Sequence, residues 1–165
     1  MRIKISSDST CDLSSELIQK YDIGIIPLSV ILGDKVYSDG IDITPQQIFD
    51  YVAATKTLPK TAACPEETYA EKFKSYLDDY DAVIHFNISS KASVTHRNAA
   101  EAAKRFSGKV HVVDSLALST GQGLLVLKAC DLAAEGKTPE EIVEITESLR
   151  PKVNTSFVPD SLEYL

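Results

Sequence analysis

The chain has 165 residues, 44% hydrophobic and 25% charged, which fits one globular domain with an ordinary, mostly aliphatic core. A net charge of −7 with scattered Lys and Arg excludes a basic nucleic-acid-binding face, so no nucleic-acid partner is expected. Three distant cysteines without a C-x-x-C pair exclude a disulfide scaffold and a structural zinc site; the opening MRIKISSDST lacks a signal-peptide core, and no apolar run approaches the ~18 residues of a membrane span, so the expected compartment is the cytoplasm.

Ile3 and Ile5 open a first strand that runs into a polar Ser-Ser-Asp-Ser-Thr loop. Ser15–Tyr21 reads as a short helix and Ile23–Leu32 as one buried β-branched strand. Gly33-Asp34 predicts a tight turn, with Lys35-Val36-Tyr37 returning as an edge strand. Thr44-Pro45-Gln46-Gln47 predicts a helix start: Thr44 caps, Pro45 suits the first turn, and Gln47 completes a capping box. Leu58–Cys64 reads as a loop. A helix follows from Pro65 to about Asp79, with Tyr69, Phe73 and Leu77 on one face.

Asp81–Ile88 is the next strand, and Ser89–Thr95 a loop feeding an alanine-rich helix to about Phe106. Val110–Val113 is a strand, Asp114–Ser119 a loop, and a long helix runs on to Ala134, with Leu124, Leu125, Leu127 and Leu132 as its core stripe. Gly136 fits a helix C-terminus, and Thr138-Pro139-Glu140-Glu141 starts another helix. Val153–Val158 reads as a last strand, and Asp160 as a cap. This alternation predicts an α/β fold with a mostly parallel sheet flanked by helices on both faces.

Ligands of open parallel sheets bind outside the carboxyl ends of the strands. Four hydroxyl-rich segments are expected there: 6–10, 60–64, 89–95 and 114–121. Three lead toward helix N-termini, whose free N–H groups favour anions. Ser and Thr hydroxyls can donate to a carboxylate or phosphate at close range. None of the segments is a Walker A or G-x-G-x-x-G loop, and each residue taken singly is also an ordinary cap or turn former.

Several stretches carry a family resemblance. They are Asp8-Ser9-Thr10-Cys11-Asp12-Leu13, Ile26-Pro27-Leu28, Tyr37-Ser38-Asp39-Gly40-Ile41-Asp42, Pro59-Lys60-Thr61, Ile88-Ser89-Ser90-Lys91-Ala92-Ser93, Val113-Asp114-Ser115, Gly121-Gln122-Gly123-Leu124-Leu125-Val126 and Asp160-Ser161-Leu162-Glu163-Tyr164-Leu165. In this order they resemble the DegV family of bacterial fatty-acid-binding proteins, which includes binding subunits of fatty acid kinase. The resemblance implies a two-domain protein, with residues 1–150 as its N-terminal α/β domain and 151–165 beginning the crossover to a second domain.

It further implies that Thr61 and Ser93 hold the carboxylate of a long-chain fatty acid, with basic residues of the second domain completing the grip. A fatty acid kinase catalytic subunit would then convert the carboxylate to an acyl phosphate. The chain itself would bind and present lipid without turnover or cofactor, and transient contact with a membrane surface stays open. Two flanks depart from the family pattern: Ala62-Ala63-Cys64 follows Thr61 where S-Q-P is usual, and Val94-Thr95-His96 follows Ser93 where G-T-Y is usual.

Ser7, Asp8, Ser9, Cys64, Ser119 and Gly121 are further candidates for shaping the site. A different reading makes Cys64, ahead of a helix, the nucleophile of a thiol hydrolase or acyltransferase with His96 as base. No third orienting group is evident for it, and a plain cap is the simpler role. A third reading is a regulatory domain for another small carboxylate or phosphate. His85 and His111 lie inside strands and read as core or flanking residues, and Asp8, Asp12, Asp39 and Asp42 match no calcium-loop spacing, so no metal site is expected.

Overall fold

The computed structural model describes residues 1–158. The first half contains β1 (Ile3–Asp8), α1 (Ser15–Lys20), β2 (Gly24–Ile26), β3 (Ser29–Leu32), β4 (Lys35–Ser38), α2 (Pro45–Thr55) and β5 (Lys60–Ala62). The second half contains α3 (Glu66–Leu77), β6 (Ala82–Asn87), α4 (Thr95–Ala103), β7 (Val110–Asp114), α5 (Ser119–Ala134) and α6 (Pro139–Leu149).

Four strands form an all-parallel sheet in the order β2-β1-β6-β7. Ile5 lies opposite Ile84, and Val83 opposite Val110. Helices cover both faces, so β6 is buried along its whole length and loses the alternation of a half-exposed strand. On one face Leu125, Val126 and Ala129 of α5 and Ile142 of α6 share a core with Ile5, Ile84 and Phe86. On the other, Tyr69 and Phe73 of α3 and Ala99 and Ala102 of α4 share one with Ile26, Val83 and Val110. The α/β architecture with a parallel sheet between helices is thus as expected. The predicted capping boxes are present at Thr44 and Thr138, each with its Pro in the first turn.

Four expectations need correction. The run Ile23–Leu32 is two strands, not one, because Pro27 has no N–H for the ladder and its ring fixes φ. After the break, the Leu28 N–H donates to Ser9 Oγ at 3.2 Å and the chain leaves the main sheet. The segment Leu58–Cys64 is not all loop. Lys60–Ala62 is β5, and it pairs antiparallel with β3, placing Thr61 opposite Val30 in a second sheet of order β4-β3-β5. The β3–β4 hairpin closes through Gly33, whose φ of +60° a side chain would disfavour. Residues 153–158 form no strand. Leu124 points away from the core, 59% exposed, while Leu125 and Leu132 are buried. The expected cap at Asp160 lies outside the described residues.

Candidate functional site

The carboxyl ends of β1 and β6 are joined by a buried polar network centred on Asp8, whose residue is fully inaccessible. Its Oδ1 accepts from Thr10 Oγ1 at 2.5 Å and from the Gln122 side-chain amide at 2.7 Å. Its Oδ2 accepts from the Ile88 N–H at 2.8 Å and the Asn87 amide at 3.3 Å. Asp8 starts a short 3-10 turn without capping it; the carboxylate turns inward instead. Ser7, expected on a loop, is the penultimate residue of β1 and fully buried, donating to the Phe86 carbonyl and accepting from Gln122. It has no surface to offer a ligand. His85 continues the network, between Ser6 Oγ at 2.9 Å and the Asn87 amide at 3.2 Å. Burial holds its imidazolium pKa down at about 3, with the charge of His96 adding to the effect, so the ring is neutral.

The loops after β6 and β7 are tied to each other. Asp114 Oδ1 accepts from the N–H groups of Ser90 and Leu116, both at 3.0 Å, and the Ser89 N–H donates to the Ala117 carbonyl at 2.9 Å. Burial works to raise the Asp114 pKa, but the hydrogen bonds from Ser90 and Leu116, helped by His96, outweigh it and hold the carboxyl below its ordinary value. Leu116 and Ser119 both have φ near +50°, a strained geometry for residues other than glycine, in the loop that opens α5.

Ser93 closes the first of these loops. Its Oγ accepts from the Thr95 N–H at 3.2 Å and lies 2.8 Å from Thr95 Oγ1. The main-chain bond engages the oxygen and leaves the O–H free to donate. Helices α4 and α5 begin here, just after β6 and β7. Neither has a side-chain hydrogen bond from its N-cap residue or an acidic residue in its first turn. Each other helix has one or both: Ser14, Thr44 and Thr138 cap α1, α2 and α6, and Glu66 and Glu67 occupy the first turn of α3. Two helix N-termini at the carboxyl edge of the sheet therefore carry no acidic residue in their own first turns to answer their positive ends.

Thr61 lies in the second sheet, opposite Val30. It is exposed on β5, within three residues of Cys64, at most about 11 Å of extended chain. The Cys64 carbonyl accepts from the Asn98 side-chain amide of α4 at 2.9 Å, so the segments bearing Thr61 and Ser93 meet at one helix. The Cys64 thiol is buried, and burial pushes its pKa up to about 11. That is the reverse of an activated thiolate, and the structure gives the hydrolase reading no support.

Ser9 lines a cavity of about 520 Å³ with Leu13, Ile18, Ile25, Ile41 and Phe49, mostly apolar, beside α1 and β2. Ser119 is half-buried at the start of α5. Gly121 is buried where any Cβ would collide with Thr155 Oγ1. Among the described residues no cluster of His, Cys, Asp and Glu could hold a metal ion, and no helix is long and apolar enough to cross a membrane.

Sequence reasoning missed Gln122, Asn87 and Asn98. Gln122 carried a usable signal, a polar residue between two glycines on an otherwise apolar helix face. The two asparagines carried none.

A family profile described as "Uncharacterised protein, DegV family" matches residues 2–165. A DegV domain-containing protein of Clostridium perfringens is 36% identical over 165 residues, covering 99% of this chain and 59% of that protein. A solved structure described as fatty acid binding of a DegV family protein from Thermus thermophilus superposes with a TM-score of 0.86 at 37% identity, over 92% of this chain and 54% of that one. A stearic-acid-binding protein from Eubacterium ventriosum superposes with a TM-score of 0.79 at 31% identity, over 88% of this chain and 52% of that one. The chain spans about half the length of the solved chains it matches.

Proposed function

The chain belongs to the DegV family, and from that premise we propose that its full-length protein binds a long-chain fatty acid, with Thr61 and Ser93 holding the carboxylate. The observation that carries this reading is the pair of helix N-termini of α4 and α5 at one sheet edge, neither with an acidic residue in its first turn, with the Ser93 hydroxyl bound to the first N–H of α4. Partial positive charge and free N–H groups favour a carboxylate there. The fatty-acid-binding descriptions of the Thermus and Eubacterium structures supply the ligand class.

The headgroup donors on this chain are neutral. They orient a carboxylate without cancelling its charge, so its oxygen stays nucleophilic toward the γ-phosphate of a nucleotide held by a separate kinase. That chemistry supports a role in presenting the acid for acyl-phosphate formation, with no turnover by the chain itself. Acyl-chain burial, at ~0.8 kcal/mol per methylene, supplies most of the affinity, and the headgroup bonds supply selection for an acid.

Native mass spectrometry of the full-length protein, followed by titration with stearate, tests the reading. A co-purified or titrated fatty acid is expected. Thr61→Val and Ser93→Ala should each weaken acid binding by about tenfold, the equivalent of one charge-assisted hydrogen bond at the low end of its range. Saturable binding of inorganic phosphate or acetate with no affinity for any acyl chain would instead make the protein a binder of small anions and sink the fatty-acid reading.

A further inference from the structure

The proposed headgroup donors come from different layers, Thr61 from the small antiparallel sheet and Ser93 from a loop of the parallel one. Something must set their spacing. The strand carrying Thr61 ends at Ala62, and the chain then crosses to α3 through Ala63, Cys64 and Pro65. At this crossing the Cys64 carbonyl receives no backbone N–H from the described residues. Its donor is the Asn98 amide, 2.9 Å away on the second turn of α4, five residues beyond Ser93. A buried residue whose carbonyl depends on one side chain makes that side chain a determinant of where its segment sits.

Resting on the headgroup reading above, we propose that Asn98 is a positioning residue for the carboxylate site. It pins the segment behind Thr61 to the helix that begins two residues after Ser93, and so fixes the gap across which one carboxylate can meet both hydroxyls. The surface pairs of Arg105, just after α4, with Glu66 and Glu67 in the first turn of α3 also join these helices, but they are exposed. Exposed pairs hold geometry weakly. The Asn98 bond is half-buried and adjoins the segment in question.

The test compares stearate with stearyl alcohol on the full-length protein. Both carry the same acyl chain, and only the acid needs the paired hydroxyls at full strength. Asn98→Leu and the isosteric Asn98→Asp, which cannot donate to a carbonyl when ionised, should each lose about tenfold in stearate affinity while alcohol affinity changes less than about twofold, the pattern of one misplaced charge-assisted bond.

In a Thr61→Val background, Asn98→Asp should cost no further stearate affinity, because the residue acts through Thr61. Asn98→Gln, which keeps a donating amide, should recover part of the preference. Equal losses for acid and alcohol would make Asn98 a general structural residue and overturn the proposal, as would an unchanged acid preference in both variants. If Asn98→Leu does not fold, Asn98→Asp carries the test. A wild-type protein that binds stearate and stearyl alcohol equally would overturn the headgroup reading itself, and the positioning role with it.

Discussion

At the scale of single residues, the polar interior is organised around a carboxylate that meets four neutral donors and no cation. Charge-assisted hydrogen bonds of this kind are each worth about 1.5–3 kcal/mol, and donors stranded by their loss add a desolvation cost. Asp8→Asn should therefore destabilise the fold by about 3 kcal/mol in urea unfolding: the new amide brings its own N–H groups to where Gln122 and Ile88 already donate. A loss under about 1 kcal/mol would show that the network tolerates a neutral centre.

Much of the site was legible at this scale. Asp8 and Gln122 both fall in the stretches that carry the family resemblance, and the hydroxyls stood out by density. What the sequence could not convey is direction. Asp8 has the composition of a cap but turns inward, and Ser7 has that of a loop hydroxyl but is sealed inside β1. Which way a short polar side chain turns depends on partners about 80 to 115 residues away, and no local pattern encodes those.

At the scale of elements, periodicity carried the helices and the parallel strands because each buries a face large enough to impose its period on the sequence. The small sheet escaped for the opposite reason. β5 is three exposed residues long and leaves no alternation to read, and β2 and β3 merge into one apolar run until Pro27 is given its structural weight. The packing of α5 rests on two glycines of different character. A Cβ at Gly123 would lie 2.7 Å from the Cys11 carbonyl oxygen, a backbone atom that cannot rotate away. A Cβ at Gly121 would meet the hydroxyl of Thr155, a side chain that can be removed. Both alanine variants should lower thermal stability, by about 1–3 kcal/mol for overpacking of this kind. Thr155→Ala should restore a large part of the loss in Gly121→Ala and none of it in Gly123→Ala. Equal rescue of both would mean that α5 shifts as a whole instead of clashing at two separate points.

For the whole molecule, buried titratable groups set a pH window. The His85 pKa is lowered from 6.5 to about 3, so between those values the unfolded chain holds a proton that the folded chain refuses. Stability then rises with pH and is lost as pH falls below about 6.5, at up to about 1.4 kcal/mol per pH unit. Asp114, also lowered, adds a further loss as pH falls below its ordinary 3.8. The alkaline side is governed by groups that burial shifts upward: Cys64 to about 11, Cys130 and Tyr76 to about 12, with Cys11 and Tyr69 also raised. Above pH 9 the unfolded chain releases these protons while the folded chain keeps them, so stability falls as pH rises. Tyr80, held up by its hydrogen bond to Asp22, acts there too, while on the acid side His85 is joined by Glu140 and Glu141 only as pH falls toward 4.5, so the alkaline limb should be the steeper, with a plateau between about pH 7 and 8.5. Urea unfolding from pH 4 to 10 would trace both limbs. His85→Gln should flatten the slope between pH 4 and 6 even if it lowers stability throughout. A slope that survives that exchange would assign the acid limb to carboxylates, and His85 would then be no more than a packing residue between Tyr69 and Phe73.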